Sequence, residues 1–267
     1  MNIIPVTDAA DPAVLAFRDI KERDLTGRQG LFVAEGEVVL NVLLSKASLC
    51  APKAVLIANK RLDALRPLLA ALPSDVPIHT APQEVLDQIA GFHLHRGILA
   101  LGQKPVEAEL GTFLEGLDEK AMLVVASGIG NHDNMGGILR NAAAFGAAGV
   151  ILDDHCCDPF YRKAIRVSVG AALRMPMITG QGAVEIVQAL QAKGFEVLAL
   201  TPSARERLVN YRPAGRVAIL LGTEGPGLPR SLIDTCRPIG IPMSGGFDSL
   251  NVAATSAVVL HHLAMTG

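Results

Sequence analysis

From Met122 onward, short apolar runs and helical spans alternate, and few folds accommodate such a pattern. Runs at Met122–Ala126, Val150–Leu152, Pro176–Ile178, Glu196–Leu200, Val217–Leu221 and Pro238–Ile241 have the length of buried strands. Between them, Met135–Phe145, Tyr161–Leu173, Ala183–Lys193 and Pro229–Thr235 read as helices, and a last apolar helix runs from Leu250 to Leu263. Parallel neighbours need a long crossover connection, usually a helix. The alternation therefore predicts an α/β protein whose largely parallel sheet is covered on both faces. Ligands on such sheets bind beyond the carboxyl ends of the strands. Chemistry is expected in the loops that follow the strands.

The first hundred residues repeat the alternation with shorter elements. A helix is predicted over 12–25, a strand at Leu31–Ala34, and a helix from Glu35 with Val38, Val39, Val42 and Leu43 on one face. Strands at Ala54–Ala58, Val76–His79 and Gly97–Leu101 frame helices at Arg61–Ala71 and Ala81–Ala90. Gly102–Leu110 has linker composition. The expected organisation is a smaller N-terminal α/β domain over 1–110, a linker over 111–120 and a second domain over 121–267. No apolar run reaches the roughly 18 residues of a membrane span, and the start, MNIIPVTDAADP, lacks a signal-peptide pattern. Cys50, Cys156, Cys157 and Cys236 form no CxxC pair, so neither a disulfide framework nor a metal site is expected, and a cytoplasmic location fits. Net charge is −2, which does not mark a nucleic-acid binder. Yet residues 158–216 hold nine Lys/Arg against four acids, while the first 110 hold eleven against thirteen, so positive charge concentrates in one stretch.

Four stretches carry candidate chemistry. Gly128-Ile129-Gly130 follows a strand, with Asp153 and Asp154 ending the next one, as in a dinucleotide-binding turn. Asp133 stands where the third glycine belongs and would repel a pyrophosphate, so a structural turn is the better reading. Asn134-Met135-Gly136-Gly137-Ile138-Leu139-Arg140 opens a helix whose apolar face is Ile138, Leu139, Ala142 and Phe145. Taken alone, Asn134 reads as an N-cap and Arg140 as a solvated charge. Leu221–Pro229 places three glycines in six residues around a single carboxylate, Glu224. Glycines let backbone approach a ligand closely, although a tight turn ahead of Pro229 needs the same residues. In Ile241–Ala257, a strand end runs through Ser244-Gly245-Gly246 to an N-cap at Asp248 or Ser249 and a helix rich in alanine.

Taken together, these stretches resemble the SpoU/TrmH family of RNA ribose methyltransferases within the knotted SPOUT superfamily. The resemblance is carried by N-x-G-x-x-x-R with A-x-x-F-G (Asn134 to Gly146), LLGTEGPGLP (Leu220 to Pro229) and IPM-x-G-x-x-D-SLNVA (Ile241 to Ala253). It is good over about 121–265 and looser over Phe32–Gly36 and His93–Ala100, which look like the family's ribosomal-protein-like, RNA-binding N-terminal domain. What it implies is a trefoil-knotted C-terminal domain that binds S-adenosyl-L-methionine, acts as a homodimer and methylates ribosomal or transfer RNA at a ribose 2′-hydroxyl. By motif match, Thr201, Gly222, Ile241, Met243 and Leu250 would hold or approach the cofactor, and Asn134, Arg140, Glu224, Ser249 and Asn251 would form the catalytic group. No metal and no membrane partner are implied.

The chemistry is compatible with those residue types. Methyl transfer from a sulfonium is an in-line displacement, so positioning is most of the work. A guanidinium stays protonated. Arg140 is therefore expected to stabilise the developing alkoxide or hold a neighbouring phosphate, with the base unnamed. Tyr161-Arg162 stands where many relatives have Ser-Pro before Lys163, and in the slightly acidic N-terminal domain Lys21, Arg23, Arg28 and Arg96 are the local basic residues expected to serve RNA. Rival readings are a base methyltransferase, an RNA-binding assembly protein without turnover, and a nicotinamide enzyme that would depend on Gly128 and Asp153.

Overall fold

A computed structural model describes residues 1–18, 30–223, 225–245 and 249–267. Contacts divide them into two units: 1–105 with 158–174, and 106–157 with 175–267.

The first unit is a five-stranded mixed sheet in the order β1-β4-β3-β5-β2, with β1 Asn2–Pro5, β2 Leu31–Glu35, β3 Ala51–Ala58, β4 Pro77–Ala81 and β5 Ile98–Gln103. Helices α1 (Glu37–Leu43), α2 (Leu62–Leu69) and α3 (Gln83–Ala90) join these strands. Val33, Leu56, Leu99 and Leu101 pack with Leu86 and Ile89 of α3 in its core. The helix expected over 12–25 is a 3-10 segment, Pro12–Phe17, capped by Asp11, and residues 19–25 of that expectation lie outside the described residues. Lys21, Arg23 and Arg28 lie outside them too.

Residues 158–174, kept with the second domain in the sequence reading, pack in the first unit. Lys104 Nζ pairs with Asp158 at 2.8 Å, Phe160 stacks on Phe32 at 5.4 Å, and Leu49 N–H donates to Leu173 O at 2.8 Å. The single helix expected there is broken. Helix α4 (Arg162–Val167) ends before Val169 and Gly170, whose φ values of 56° and 80° are left-handed, and Ala171–Leu173 is a 3-10 turn. Ser168 Oγ bridges the break, donating to Ile165 O and accepting from Ala172 N–H.

The second unit is a six-stranded, wholly parallel sheet in the order β11-β9-β10-β6-β7-β8. Its strands are β6 Met122–Ala126, β7 Gly149–Asp153, β8 Met177–Gln181, β9 Glu196–Leu200, β10 Val217–Leu221 and β11 Arg237–Ile239. The helices are α5 (Leu110–Glu115), α6 (His132–Ala144), α7 (Ala183–Ala192), α8 (Arg230–Ile233) and α9 (Val252–Thr266). One face packs Leu123, Val125, Val197 and Leu220 against Ile186 and Leu190 of α7. Residues 111–120, expected as linker, begin within α5, because Leu110 and Leu114 bury themselves in that same core. No helix among the described residues is long and apolar enough to cross a membrane.

Candidate active site

The parallel register sets two of the expected cofactor residues, Thr201 and Gly222, side by side and brings the start of the Ile241 loop next to them. Leu220 pairs with Ala199 and Ile239 with Leu200. Continued two residues from the first pair and one from the second, the register puts Gly222 on one side of Thr201 and Gly240 on the other. Neighbouring strands are about 4.8 Å apart, so the three strand ends form one short shelf. Thr201 N–H donates to Ile239 O at 3.1 Å, and a Cβ on Gly240 would lie 3.2 Å from Thr201 O, which fixes the start of the Ile241 loop against Thr201. Ile241 and Met243 are half-buried, and Leu250 is 45% exposed.

Gly222 opens a tightly folded loop. A Cβ on it would lie 2.7 Å from Leu228 N, 2.8 Å from Leu228 Cγ and 2.9 Å from Gly227 C. Thr223 Oγ1 donates to Gly227 O at 3.3 Å, and Gly225 and Gly227 have φ of 89° and 69°. Glu224, expected in the catalytic group, lies outside the described residues, as does Asp248.

Two helix N-termini meet next to the neighbouring strand, β6. Asn131, not Asn134, caps α6 by accepting from Asp133 N–H at 2.8 Å and Asn134 N–H at 3.4 Å. Asn251, not Asp248 or Ser249, caps α9 by accepting from Ala253 and Ala254 N–H at 2.9 and 3.2 Å. With its Oδ1 so engaged, Asn251 donates through Nδ2 to Oδ1 of Asn134 at 2.8 Å, and Asn134 is buried. Below this pair a Cβ on Gly137 would lie 2.7 Å from that of Ala253, and Asn141 Nδ2 donates to Ala253 O and Ser256 Oγ at 2.7 and 2.9 Å. Asn134, Gly137 and Asn141 follow helical spacing, so they form one seam with α9. Sequence reasoning missed Asn131, Asn141 and Ser256, although the spacing Asn134-Gly137-Asn141 was available as a signal.

Arg140 does not join that seam. Six residues beyond Asn134, it points roughly 240° around the helix and about 9 Å further along it. Its side chain is exposed and forms no hydrogen bond or ion pair among the described residues. Ser249 is exposed next to the Asn251 cap.

The dinucleotide alternative loses its carboxylate. Asp153 is buried, and its Oδ1 accepts from Gly128 N–H at 2.9 Å and His155 N–H at 3.1 Å, so it holds the loop after β6. A Cβ on Gly128, where φ is 67°, would collide with the Thr223 methyl. The Cys156 thiol donates to Ala126 O at 3.2 Å and accepts from Ile129 N–H at 3.3 Å, and burial pushes it up to about 12, so it is packing.

A network unforeseen from the sequence pins the segment after Thr201. Arg237 pairs with Glu196 and Glu206, each at 2.6 Å, and Tyr211 Oη donates to the other oxygen of Glu196 at 2.5 Å. Burial pushes the Glu196 carboxyl up, but the bonds from Tyr211 and Arg237 outweigh it and leave it below the usual range. Burial, then Glu196, pushes the Tyr211 hydroxyl up. A cavity of about 270 Å³ lined by Met122, Phe145, Val217 and Leu263 lies at the amino ends of the strands and contains none of the expected site residues.

The pattern described as the SpoU rRNA Methylase family matches residues 121–261, more than half of the chain. The chain belongs to that family. The match covers all three motifs named from the sequence. An uncharacterized tRNA/rRNA methyltransferase of Mycobacterium bovis is 34% identical over 100% of this chain and 93% of its own length. The 23S rRNA (guanosine-2'-O-)-methyltransferase RlmB of Photobacterium profundum is 33% identical over 76% of this chain and 85% of its own. A crystal structure of an AdoMet-bound rRNA methyltransferase from Sinorhizobium meliloti shares the fold at a TM-score of 0.82, with 21% identity over 97% of each chain. This SpoU-family chain is thus an RNA methyltransferase by family, and its α/β architecture is that of solved relatives.

Proposed function

We propose that this chain transfers the methyl group of S-adenosyl-L-methionine to a ribose 2′-hydroxyl of structured RNA, with 23S ribosomal RNA ahead of transfer RNA. The observation that carries the reading is the shelf of Thr201, Gly222 and Gly240–Ile241, with the Asn134–Asn251 pair beside the neighbouring strand. The choice of RNA is supported by the printed activity of the Photobacterium relative.

The shelf suits the cofactor chemically. Gly222 bares backbone, and Ile241, Met243 and Leu250 offer apolar cover to a flat base. When bound, S-adenosylmethionine supplies a methyl group on a positively charged sulfur. The chain's part is then to align the 2′-oxygen, exclude water and stabilise charge as the hydroxyl proton leaves. Asn134 and Asn251 hold the two helix starts in register beside that point, with Ser249 two residues before the second of them.

Arg140 is proposed to stabilise the developing alkoxide or grip the adjacent phosphate from a second copy of the chain. Its direction, away from the Asn134–Asn251 seam, supports a site composed across a homodimer. So does an apolar groove of about 330 Å³ beside Val258 and Met265, both exposed on α9. The path of the chain supports a trefoil knot: from β11 at the sheet edge it must pass the ends of β9 and β10 to bring α9 onto α6.

The test is transfer of labelled methyl to ribosomal RNA, with 2′-O-methyl positions mapped on RNA from a deletion strain. Loss of one such position, restored by the gene but not by Arg140→Ala, is expected. Mixing inactive Arg140→Ala and inactive Asn251→Ala chains restores part of the turnover if the site spans two copies. Absence of any methyl transfer to RNA rules the reading out.

A further inference from the structure

The end of β11 is bordered on both sides by one stretch of chain. Toward the sheet, Ile239 pairs with Leu200 of β9, and its carbonyl accepts from Thr201 N–H. Successive residues of a strand turn their peptide groups to opposite edges, and Gly240 faces the other way. Its N–H donates to Glu206 O, and its carbonyl accepts from Leu208 N–H, each at 2.9 Å. Arg207 and Gly240 are thus bridged in parallel. The chain that leaves β9 at Thr201 returns along the outer edge of β11 before it enters β10.

Arg237 ties that outer segment to the sheet. Its Nε and Nη2 donate to the two oxygens of Glu206 at 2.8 and 2.6 Å, and its Nη1 donates to Glu196 Oε1 at 2.6 Å. A planar fork on both oxygens of one carboxylate fixes direction as well as distance. The guanidinium also lies 5.0 Å from the ring centroid of the buried Tyr211, whose Oη engages the other oxygen of Glu196. Glu206 is therefore held by its side chain and holds Gly240 by its backbone carbonyl. The Arg237, Glu196 and Glu206 side chains are 43%, 40% and 34% exposed, and ion pairs that open to water contribute little to stability. What the fork fixes is where the Gly240 peptide stands. Arg237 is three residues before Gly240, about 10 Å along an extended strand, so it acts on the shelf only through Glu206.

We infer that Arg237 is a positioning residue for the cofactor: through Glu206 it holds the outer segment against Gly240 and so sets the edge of the shelf at Thr201 and Ile241. Without the guanidinium, Glu196 and Glu206 face each other with no cation between them, and the segment moves off β11. A segment left loose there must be ordered on binding, which costs affinity. The effect falls on cofactor binding and not on the transfer step. The inference rests on the proposal that this shelf binds S-adenosylmethionine.

Calorimetry with S-adenosylmethionine, and methyl transfer at saturating RNA, test it on the full chain well below Tm. Arg237→Gln weakens binding and raises KM for the cofactor about tenfold while kcat stays within about twofold, the pattern of lost uniform binding. Arg237→Lys keeps the charge but loses the fork, and weakens binding about threefold. Glu206→Gln also weakens binding about threefold, and adding it to Arg237→Gln weakens it no further, because both break one link. Arg216→Gln is the control for stability alone. Arg216 donates to the Leu117, Asp118 and Lys193 carbonyls just before β10 begins, so its loss lowers Tm and leaves Kd unchanged. Should Arg237→Gln not fold, Glu206→Gln decides by the same measure. An unchanged Kd in the folded variant, a fall in kcat without a rise in KM, or equal weakening by Arg216→Gln overturns the inference. Wild type that binds S-adenosylmethionine while every Arg237 and Glu206 variant binds as well overturns the positioning role only. Wild type that does not bind S-adenosylmethionine overturns the reading of the shelf and this inference with it.

Discussion

Replacing Gly222 by alanine tests the shelf most directly. The new methyl carbon would stand 2.7 Å from Leu228 N, 2.8 Å from Leu228 Cγ and 2.9 Å from Gly227 C. Two of those three atoms are backbone, so no rotamer change relieves the overlap and the loop itself must move. Overpacking of this kind costs about 1–3 kcal/mol, which for a chain of this size lowers Tm by roughly 2–4 °C per kcal/mol. A loop displaced by a few tenths of an ångström also loses its backbone alignment with the cofactor, and a loss of about 1.4 kcal/mol is a tenfold weaker Kd. Gly130→Ala is the matched control: its Cβ meets nothing within 4 Å, and its φ is outside the left-handed region. Calorimetry with S-adenosylmethionine and thermal unfolding should show both losses in Gly222→Ala and neither in Gly130→Ala. Unchanged affinity in a Gly222→Ala protein with lowered Tm would refute the claim that this loop holds the cofactor. Damage confined to Gly130→Ala would revive the turn after β6.

Asn251→Asp keeps an N-cap oxygen but loses the Nδ2 donor to Asn134, so it should retain more stability than Asn251→Ala, which costs about 1 kcal/mol from the cap alone, while both lose turnover; thermal unfolding and methyl transfer separate the two effects. Arg140→Ala should leave Tm within the roughly 0.5 kcal/mol expected of a surface change and cut kcat about a hundredfold; Arg140→Lys with most of its turnover would count against a role for the planar fork. In acid, the depressed Glu196 carboxyl sets the sign. Its stabilising contribution is full above the ordinary glutamate value of 4.5 and is lost as pH falls through the lower value of the folded state, so Tm of the wild type should fall more steeply in that window than Tm of Arg237→Gln.

The parallel sheet could be read from the sequence because its inner strands β6, β7, β9 and β10 are short, largely apolar and mostly buried runs, and β6, β9 and β10 fall on the predicted residues. The elements at 12–18 and 161–173 were misread for a shared reason: apolar spacing reports a buried face but not the backbone that reaches it. Val169 and Gly170 take left-handed φ and break the second of these helices where the spacing runs on. Nor does local composition say that 158–174 belongs to the first unit. That follows from Phe160 on Phe32 and Arg162 on Glu35, contacts more than a hundred residues apart.

For the candidate site, residues of two motifs, Asn134 and Asn251, do meet, while the helix caps went to residues other than those expected. A motif singles out Asn134 and Asn251, but does not say that Asn131 satisfies the first N–H groups of α6 and so leaves Asn134 to meet Asn251. The direction of Arg140 was the more available inference. A residue six positions from Asn134 on a 3.6-residue helix points some 240° away, and the seam residues Gly137 and Asn141 confirm which face is turned toward α9. An arginine proposed to act at the reacting oxygen, yet carried on that other face, is directed away from the Asn134–Asn251 pair of its own chain. A second copy supplying Arg140 would meet that proposal with both helices intact, and this is why the mixed-variant experiment, rather than either single variant, distinguishes a composite site from one built within a single chain.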